Sequence, residues 1–252
     1  VQQRISRLEK ELDEVRKKRA TQRKKRLKRP VPTAAIVGYT NAGKSSILNA
    51  ITGSSVNAED KLFATLDPTT RRVVLPNQQE MLLSDTVGFI RKLPHSLVEA
   101  FKATLEEAVV ADFIIEVLDV SNPAVEDHHQ TTREVLKELG ADDKRTLIVL
   151  NKIDRAERNY LMGRIRRRFD NPVFTSALTG EGIPELCDRL ALELDRDLHS
   201  VDLVIPHDRY DIVAKLHRAG NIDTEVYNDD MILIQARVPG ELMSELAPFN
   251  NL

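Results

Sequence analysis

Apolar positions follow three different rhythms along the 252-residue chain. In the first segment Ile5, Leu8, Leu12 and Val15 stand three and four apart, which lays one apolar stripe along a helix face. The stripe lapses from Arg16, and Pro30 and Pro32 end any helix before a new pattern begins. From Thr33, short apolar runs alternate with amphipathic stretches. The runs predict strands over Ala34–Val37, Arg71–Leu75, Met81–Ser84, Phe113–Val120, Thr146–Leu150 and Val173–Thr175. The stretches predict helices over Lys44–Ile51, His95–Val110, Ala124–Leu139, Ala156–Phe169 and Ile183–Leu198. Strands separated by helices point to a doubly wound, mostly parallel six-stranded α/β sheet, whose ligands sit beyond the carboxyl ends of the strands. Near Ser200 the rhythm changes again. A strand over Val201–Ile205, a helix over Asp208–Arg218 and a hairpin of Asp223–Tyr227 with Met231–Val238 predict a small α+β unit. The chain therefore divides into a helix over 1–29, a main domain over 30–199 and a small domain over 200–252.

Charge separates the first of these segments from the rest. Residues 1–29 hold 13 Lys and Arg against four Asp and Glu, a net of +9, while the whole chain carries −2. A basic arm on an acidic body suits a polyanionic partner along whose phosphates it can lie; the alternative is a solvated charged helix left from a neighbouring segment. The one cysteine, Cys187, excludes an intramolecular disulfide and fits a reducing, cytoplasmic setting as packing filler. No apolar run approaches the roughly 20 residues of a membrane-spanning helix, and the charged start lacks the apolar core of a signal peptide. A soluble monomer is expected. His128 and His129 read as solvated helix surface, because adjacent helical residues do not face each other and no further metal ligands stand at suitable spacing.

Candidate chemistry falls at the predicted strand ends. Gly38-Tyr39-Thr40-Asn41-Ala42-Gly43-Lys44-Ser45 matches G-x-x-x-x-G-K-[ST] between a strand and a helix that continues through Ser46. Its glycines let backbone N–H groups wrap phosphates, Lys44 would reach the β- and γ-phosphates, and the Ser45 hydroxyl would bind Mg²⁺. Asn151-Lys152-Ile153-Asp154 follows the fifth strand. A carboxylate at Asp154 can accept from two guanine donors that adenine lacks, Asn151 would tie this loop to the phosphate loop, and the Lys152 stem would cover the base. A metabolic kinase is disfavoured, since this loop selects guanine and no phosphoryl-acceptor site is evident. Asp85-Thr86-Val87-Gly88 follows the third strand; Asp85 would hold Mg²⁺ through water and the Gly88 N–H would sense the γ-phosphate. Ser176-Ala177-Leu178 follows the sixth strand and would offer a backbone N–H to guanine O6. Within Phe63-Ala64-Thr65-Leu66-Asp67-Pro68-Thr69-Thr70, one threonine should complete the Mg²⁺ shell, and the residues alone leave Thr65, Thr69 and Thr70 open.

The succession GYTNAGKS, FATLDPTTR, DTVGFIRKLP, NKID and SAL resembles the HflX family of translation-associated P-loop GTPases, over residues 1 to about 245. The resemblance implies a Ras-like fold, binding and hydrolysis of GTP to GDP, and association with ribosomal RNA and protein of the large subunit, with ribosome splitting in the intact protein. It also implies that Thr65 is the Mg²⁺-binding threonine and that Phe63, Ala64, Leu66 and Asp67 line the nucleotide. The family's N-terminal domain and its Gly-rich linker are missing from this sequence, so the chain reads as a fragment. Ras-like enzymes place a water-orienting glutamine after the D-x-x-G glycine; here Phe89 stands there, which predicts slow intrinsic hydrolysis completed by a partner, a cation or another switch group. In similar GTPases an asparagine at the position of Asn41 helps hold K⁺ beside the phosphates; the alternative is a purely structural loop residue.

Overall fold

The computed structural model describes residues 31–53, 69–89, 105, 107–156, 165, 168–196, 198–228 and 230–250. The basic helix over 1–29, the loop Phe63–Pro68 and most of the helices predicted over His95–Val110 and Ala156–Phe169 lie outside these residues.

Strand β1 (Thr33–Val37) is followed by helix α1 (Lys44–Thr52), then by β2 (Thr69–Val74) and β3 (Glu80–Asp85). Next come β4 (Phe113–Asp119), α2 (Val125–Glu138), β5 (Thr146–Asn151), β6 (Val173–Phe174) and α3 (Ile183–Asp195). The six strands form one sheet in the order β2-β3-β1-β4-β5-β6, parallel throughout except for β2, which pairs antiparallel with β3. Chain connections run from β1 to one side and return to the other through β4, so the direction of winding reverses beside β1. A ligand crevice belongs there.

The strand sequences explain their positions. In β4, Phe113 to Leu118 are buried on both faces, the continuous apolar run of a central parallel strand, broken only by Glu116. Edge strand β2 buries Val73 and exposes Thr69, Arg72 and Val74. One face of the sheet packs on α1 and α3 through Ile47, Leu48, Leu186 and Leu190. The other packs through Phe89, Leu105 and Leu136 in one cluster and Val125, Ile153 and Phe169 in the next.

A second sheet opens at Leu198, immediately after α3. Its strands β7 (Leu198–Pro206), β8 (Asn221–Tyr227) and β9 (Met231–Pro239) are antiparallel in the order β7-β9-β8, with helix α4 (Tyr210–Ala219) between β7 and β8. Alternation in β9 buries Ile232, Ile234, Ala236 and Val238 against Ile212, Val213 and Leu216 of α4. The helix predicted to reach Leu198 thus stops three residues short, because Leu198 already pairs with Pro239. Ala156, where a helix was predicted to begin, is extended. The short helical turns from Gly240 to Phe249, which pack Leu242 and Leu246 on the second core, had no expected counterpart.

Asp195, the last residue of α3, joins the two sheets. It accepts hydrogen bonds from Gln79 Nε2 on the turn between β2 and β3 (3.0 Å) and from Arg237 Nη1 on β9 (2.8 Å).

Candidate nucleotide-binding site

The loop from Gly38 to Gly43 has a backbone that few sequences adopt. Gly38, Asn41 and Gly43 have φ of 143°, 62° and 96°. A Cβ at Gly38 would fall 2.2 Å from the Val117 carbonyl oxygen, and one at Gly43 would fall 2.2 Å from Asn151 Nδ2. Glycine is required at both by close approach as well as by φ. Helix α1 then starts with no side-chain cap and no acidic residue in its first turn. Its positive dipole end suits an anion.

Lys44 is buried at the start of α1 and donates from Nζ to the Tyr39 carbonyl oxygen at 3.1 Å. Burial lowers its pKa to about 8, with the Asp85 carboxylate pulling the other way. Gly88 closes the same corner: a Cβ there would meet Lys44 Nζ and Thr40 within 2.9 Å. Asp85 ends β3 and accepts from Ser45 Oγ at 2.6 Å. These two oxygen donors, one hydroxyl and one buried carboxylate, form the kind of hard donor pair that Mg²⁺ takes. Thr86 turns inward and donates to the Ile36 carbonyl oxygen at 2.7 Å, and Val87 is buried, so both side chains serve the sheet.

Thr69 and Thr70 belong to β2, where the Thr70 and Ser84 hydroxyls lie 2.8 Å apart across the pair. Of the three threonines left open by the sequence, these two are strand residues. Thr65, with Phe63, Ala64, Leu66 and Asp67, lies outside the described residues.

A second cluster lies at the ends of β5 and β6. Asn151 Nδ2 donates to the Ala42 carbonyl oxygen at 3.0 Å, tying this loop to the phosphate loop, while its Oδ1 accepts from the Ala177 N–H at 3.0 Å. Lys152 adopts a left-handed φ of 66° and swings its ammonium onto the Asn41 carbonyl oxygen (2.7 Å) and Asp119 Oδ2 (2.8 Å), so its stem bridges the two loops. Ile153 is buried below. Ser176 Oγ donates to Asp154 Oδ1 at 2.6 Å and fixes that carboxylate. The Ser176 N–H is bonded to Glu181 and the Ala177 N–H to Asn151. Two of the three N–H groups of the segment expected to offer one to a base oxygen therefore hold the loop itself, while the Leu178 side chain is exposed.

Carboxyl ends of β1, β3, β5 and β6 thus converge on one edge, with a lysine and two oxygen donors at one end and an oriented carboxylate at the other. Residues 33–152 match the family model described as "50S ribosome-binding GTPase". GTPase HflX of Akkermansia muciniphila is 47% identical over 250 residues, covering 98% of this chain and 57% of that protein. GTPase HflX of Escherichia coli is 40% identical over 238 residues, covering 94% of this chain and 56% of that protein. The chain belongs to the HflX family of GTPases. It spans a little over half the length of the HflX relatives it matches. A GTP-binding protein from Sulfolobus solfataricus, solved with GDP, shares the fold at a TM-score of 0.54 and 29% identity, over 76% of this chain and 57% of that one.

Several contacts of this HflX-family site escaped the sequence pattern. Asp119, partner of Lys152, stands at the end of β4 and belongs to none of the recognised motifs. The expectation for His128 and His129 fails. The His128 ring stacks on Tyr39 of the phosphate loop, and His129 Nδ1 lies 3.0 Å from an oxygen of buried Glu116. Phe89 is fully buried among Ala35, Val37 and Leu105, and its backbone is stitched to the phosphate loop by Phe89 N–H to Gly38 (3.0 Å) and Thr40 N–H to Phe89 (2.9 Å). Among the described residues no cluster of His, Cys, Asp and Glu could hold a further metal ion, and no helix is long and apolar enough to cross a membrane.

Proposed function

We propose that this chain binds GTP with Mg²⁺ and hydrolyses it to GDP and phosphate, as a cytoplasmic switch whose partner is the large ribosomal subunit. The observation that carries the nucleotide reading is the convergence of Lys44, Ser45 and Asp85 with Asn151, Asp154 and Ser176 at one sheet edge. Lys44 contacts the β- and γ-phosphates, the N–H groups of the loop and of α1 cradle them, and Asp154 accepts from the guanine N1–H and N2–H₂. Ser45 and Asp85 would hold Mg²⁺, Asp85 through water, and Thr65 would complete the set when γ-phosphate is present. A cation held there would supply neutralisation of phosphate charge. The Gly88 N–H meets the γ-phosphate from the opposite wall. The family model's description and the HflX relatives support the ribosomal partner.

Phe89 favours a second reading. A fully buried phenylalanine has no group with which to orient water, so intrinsic turnover is slow and a partner must complete the site; with no such partner the chain is a GTP-responsive binding module. Single-turnover hydrolysis with and without purified large subunits separates the two. Stimulation by subunits supports the switch, and silence in both conditions supports the module. Asn41, exposed at the loop's tip, is the residue on which K⁺ assistance rests. Turnover faster in K⁺ than in Na⁺ supports it, and equal rates sink it.

A further inference from the structure

The nucleotide site leaves one pair of contacts unused, those of His128 and His129 in the first turns of α2. The two rings point different ways, one meeting the phosphate loop and the other the sheet. The His128 ring lies on the Tyr39 ring at a centroid distance of 3.8 Å and an interplanar angle of 6°. His129 Nδ1 lies 3.1 and 3.0 Å from the two oxygens of Glu116, which is fully buried on β4 beside Val37 of β1. Its ring meets Phe169 edge-on at 5.0 Å and 86°.

We propose that His128 is a positioning residue for the phosphate loop, acting through Tyr39. This rests on the reading of that loop as the nucleotide site. The Tyr39 carbonyl oxygen is a node of the loop: it accepts from Lys44 Nζ at 3.1 Å and from the Ala42 N–H at 3.2 Å. Tyr39 also forms a parallel bridge with Phe89, so it joins the loop to the segment that carries Gly88. Displacing Tyr39 moves the lysine, the turn and the γ-phosphate wall together.

The loop needs such a hold. Its residues at φ 143°, 62° and 96° occupy backbone regions that are costly to keep ordered before phosphates arrive. A ring clamped from outside orders the loop in advance, and nucleotide binding is then spared that ordering cost. The clamp is itself anchored. A buried carboxylate such as Glu116 demands a donor, and His129 supplies it, which pins α2 to β4 and presents His128 to Tyr39. Adjacent positions on a helix point about 100° apart, so the pair can serve an anchor and a clamp at once.

The test compares wild type with His128→Ala, His128→Leu and His128→Phe, with Lys44→Ala as the control for the site itself. For each, GTP and GDP affinity are titrated by fluorescence, KM and kcat are measured, and the melting temperature is recorded. His128→Ala and His128→Leu should weaken both nucleotides about three- to tenfold, raising KM in step while kcat stays within about twofold. His128→Phe, which restores a flat ring, should return affinity to within about twofold of wild type. Unchanged affinity in either folded Ala or Leu variant overturns the proposal, as does a folded Phe variant no better than Leu. A wild type that ignores guanine nucleotides, with Lys44→Ala behaving identically, overturns the reading of the site and this inference with it.

Discussion

In the first sheet the strands β1, β3, β5 and β6 run in one direction, so the loops that leave them gather on a single edge. In the second, β7 and β8 both run antiparallel to β9, so the chain leaves β7 and β8 at one end of the sheet and leaves β9 at the other. The first sheet thereby collects six polar site residues from distant stretches of sequence. The second buries an apolar layer from Val201 to Leu246 and, among the described residues, brings no comparable cluster to either end. Direction of strands, more than core quality, decides where chemistry can assemble. Side chains join the two at Asp195, through Gln79 and Arg237.

The largest effect that sharpens this contrast is on the base. Asp154→Asn removes the acceptor for the two guanine donors and leaves them facing an amide. GTP affinity should fall at least about a hundredfold, while xanthosine triphosphate, whose 2-oxo group accepts from an amide, should gain. Competitive nucleotide titration reads both. The converse variant lies in the second sheet. Ile234→Ala empties part of that core and should cost about 2–5 kcal/mol in stability, seen by thermal or denaturant unfolding. If the division of labour is correct, its effect on GTP affinity is below twofold; a large loss would mean that the second sheet helps build the site.

A third test uses Lys44. Burial holds its pKa near 8, and phosphates, by supplying negative charge, raise it when nucleotide binds. The bound form therefore takes up a proton. Affinity should be flat below about pH 7 and fall roughly tenfold between pH 7 and 9 as the free lysine loses its charge. In the free protein the sign for stability is the opposite. A lowered lysine pKa disfavours the charged form, so the burden on folding is full below pH 8 and eases as pH rises from 8 towards the ordinary value of 10.5. Replacing Lys44 with Met should abolish both dependences. The smallest effect is at the Asp195 junction. Arg237→Ala breaks the contact with half-buried Asp195 and should shift stability by no more than about 1 kcal/mol, with calorimetry showing whether the two sheets begin to melt separately.

The sequence made the parallel sheet and its loop motifs readable because strand ends and glycines are local signals. Gly43 next to Lys44, and Asp154 three residues after Asn151, declare themselves by spacing. The hairpin of β8 and β9 was equally legible, since Ile232, Ile234, Ala236 and Val238 alternate with exposed positions. What spacing could not reveal was long-range partnership. Glu116 looks like an anomaly in an apolar strand until His129 arrives from the next helix, and the histidine pair looks idle until β1 and β4 bring Tyr39 and Glu116 beneath it. The closing turns from Gly240 to Phe249 were missed because four-residue helices carry too little periodicity to register.

The central claim is guanine-specific binding at this edge, and equilibrium titration of GTP, GDP and ATP against the purified chain in Mg²⁺ tests it most directly. GTP and GDP should bind and ATP should be weaker by at least about a thousandfold, since adenine leaves the Asp154 carboxylate without its donors. Equal affinity for ATP, or no binding of any of the three, would contradict it.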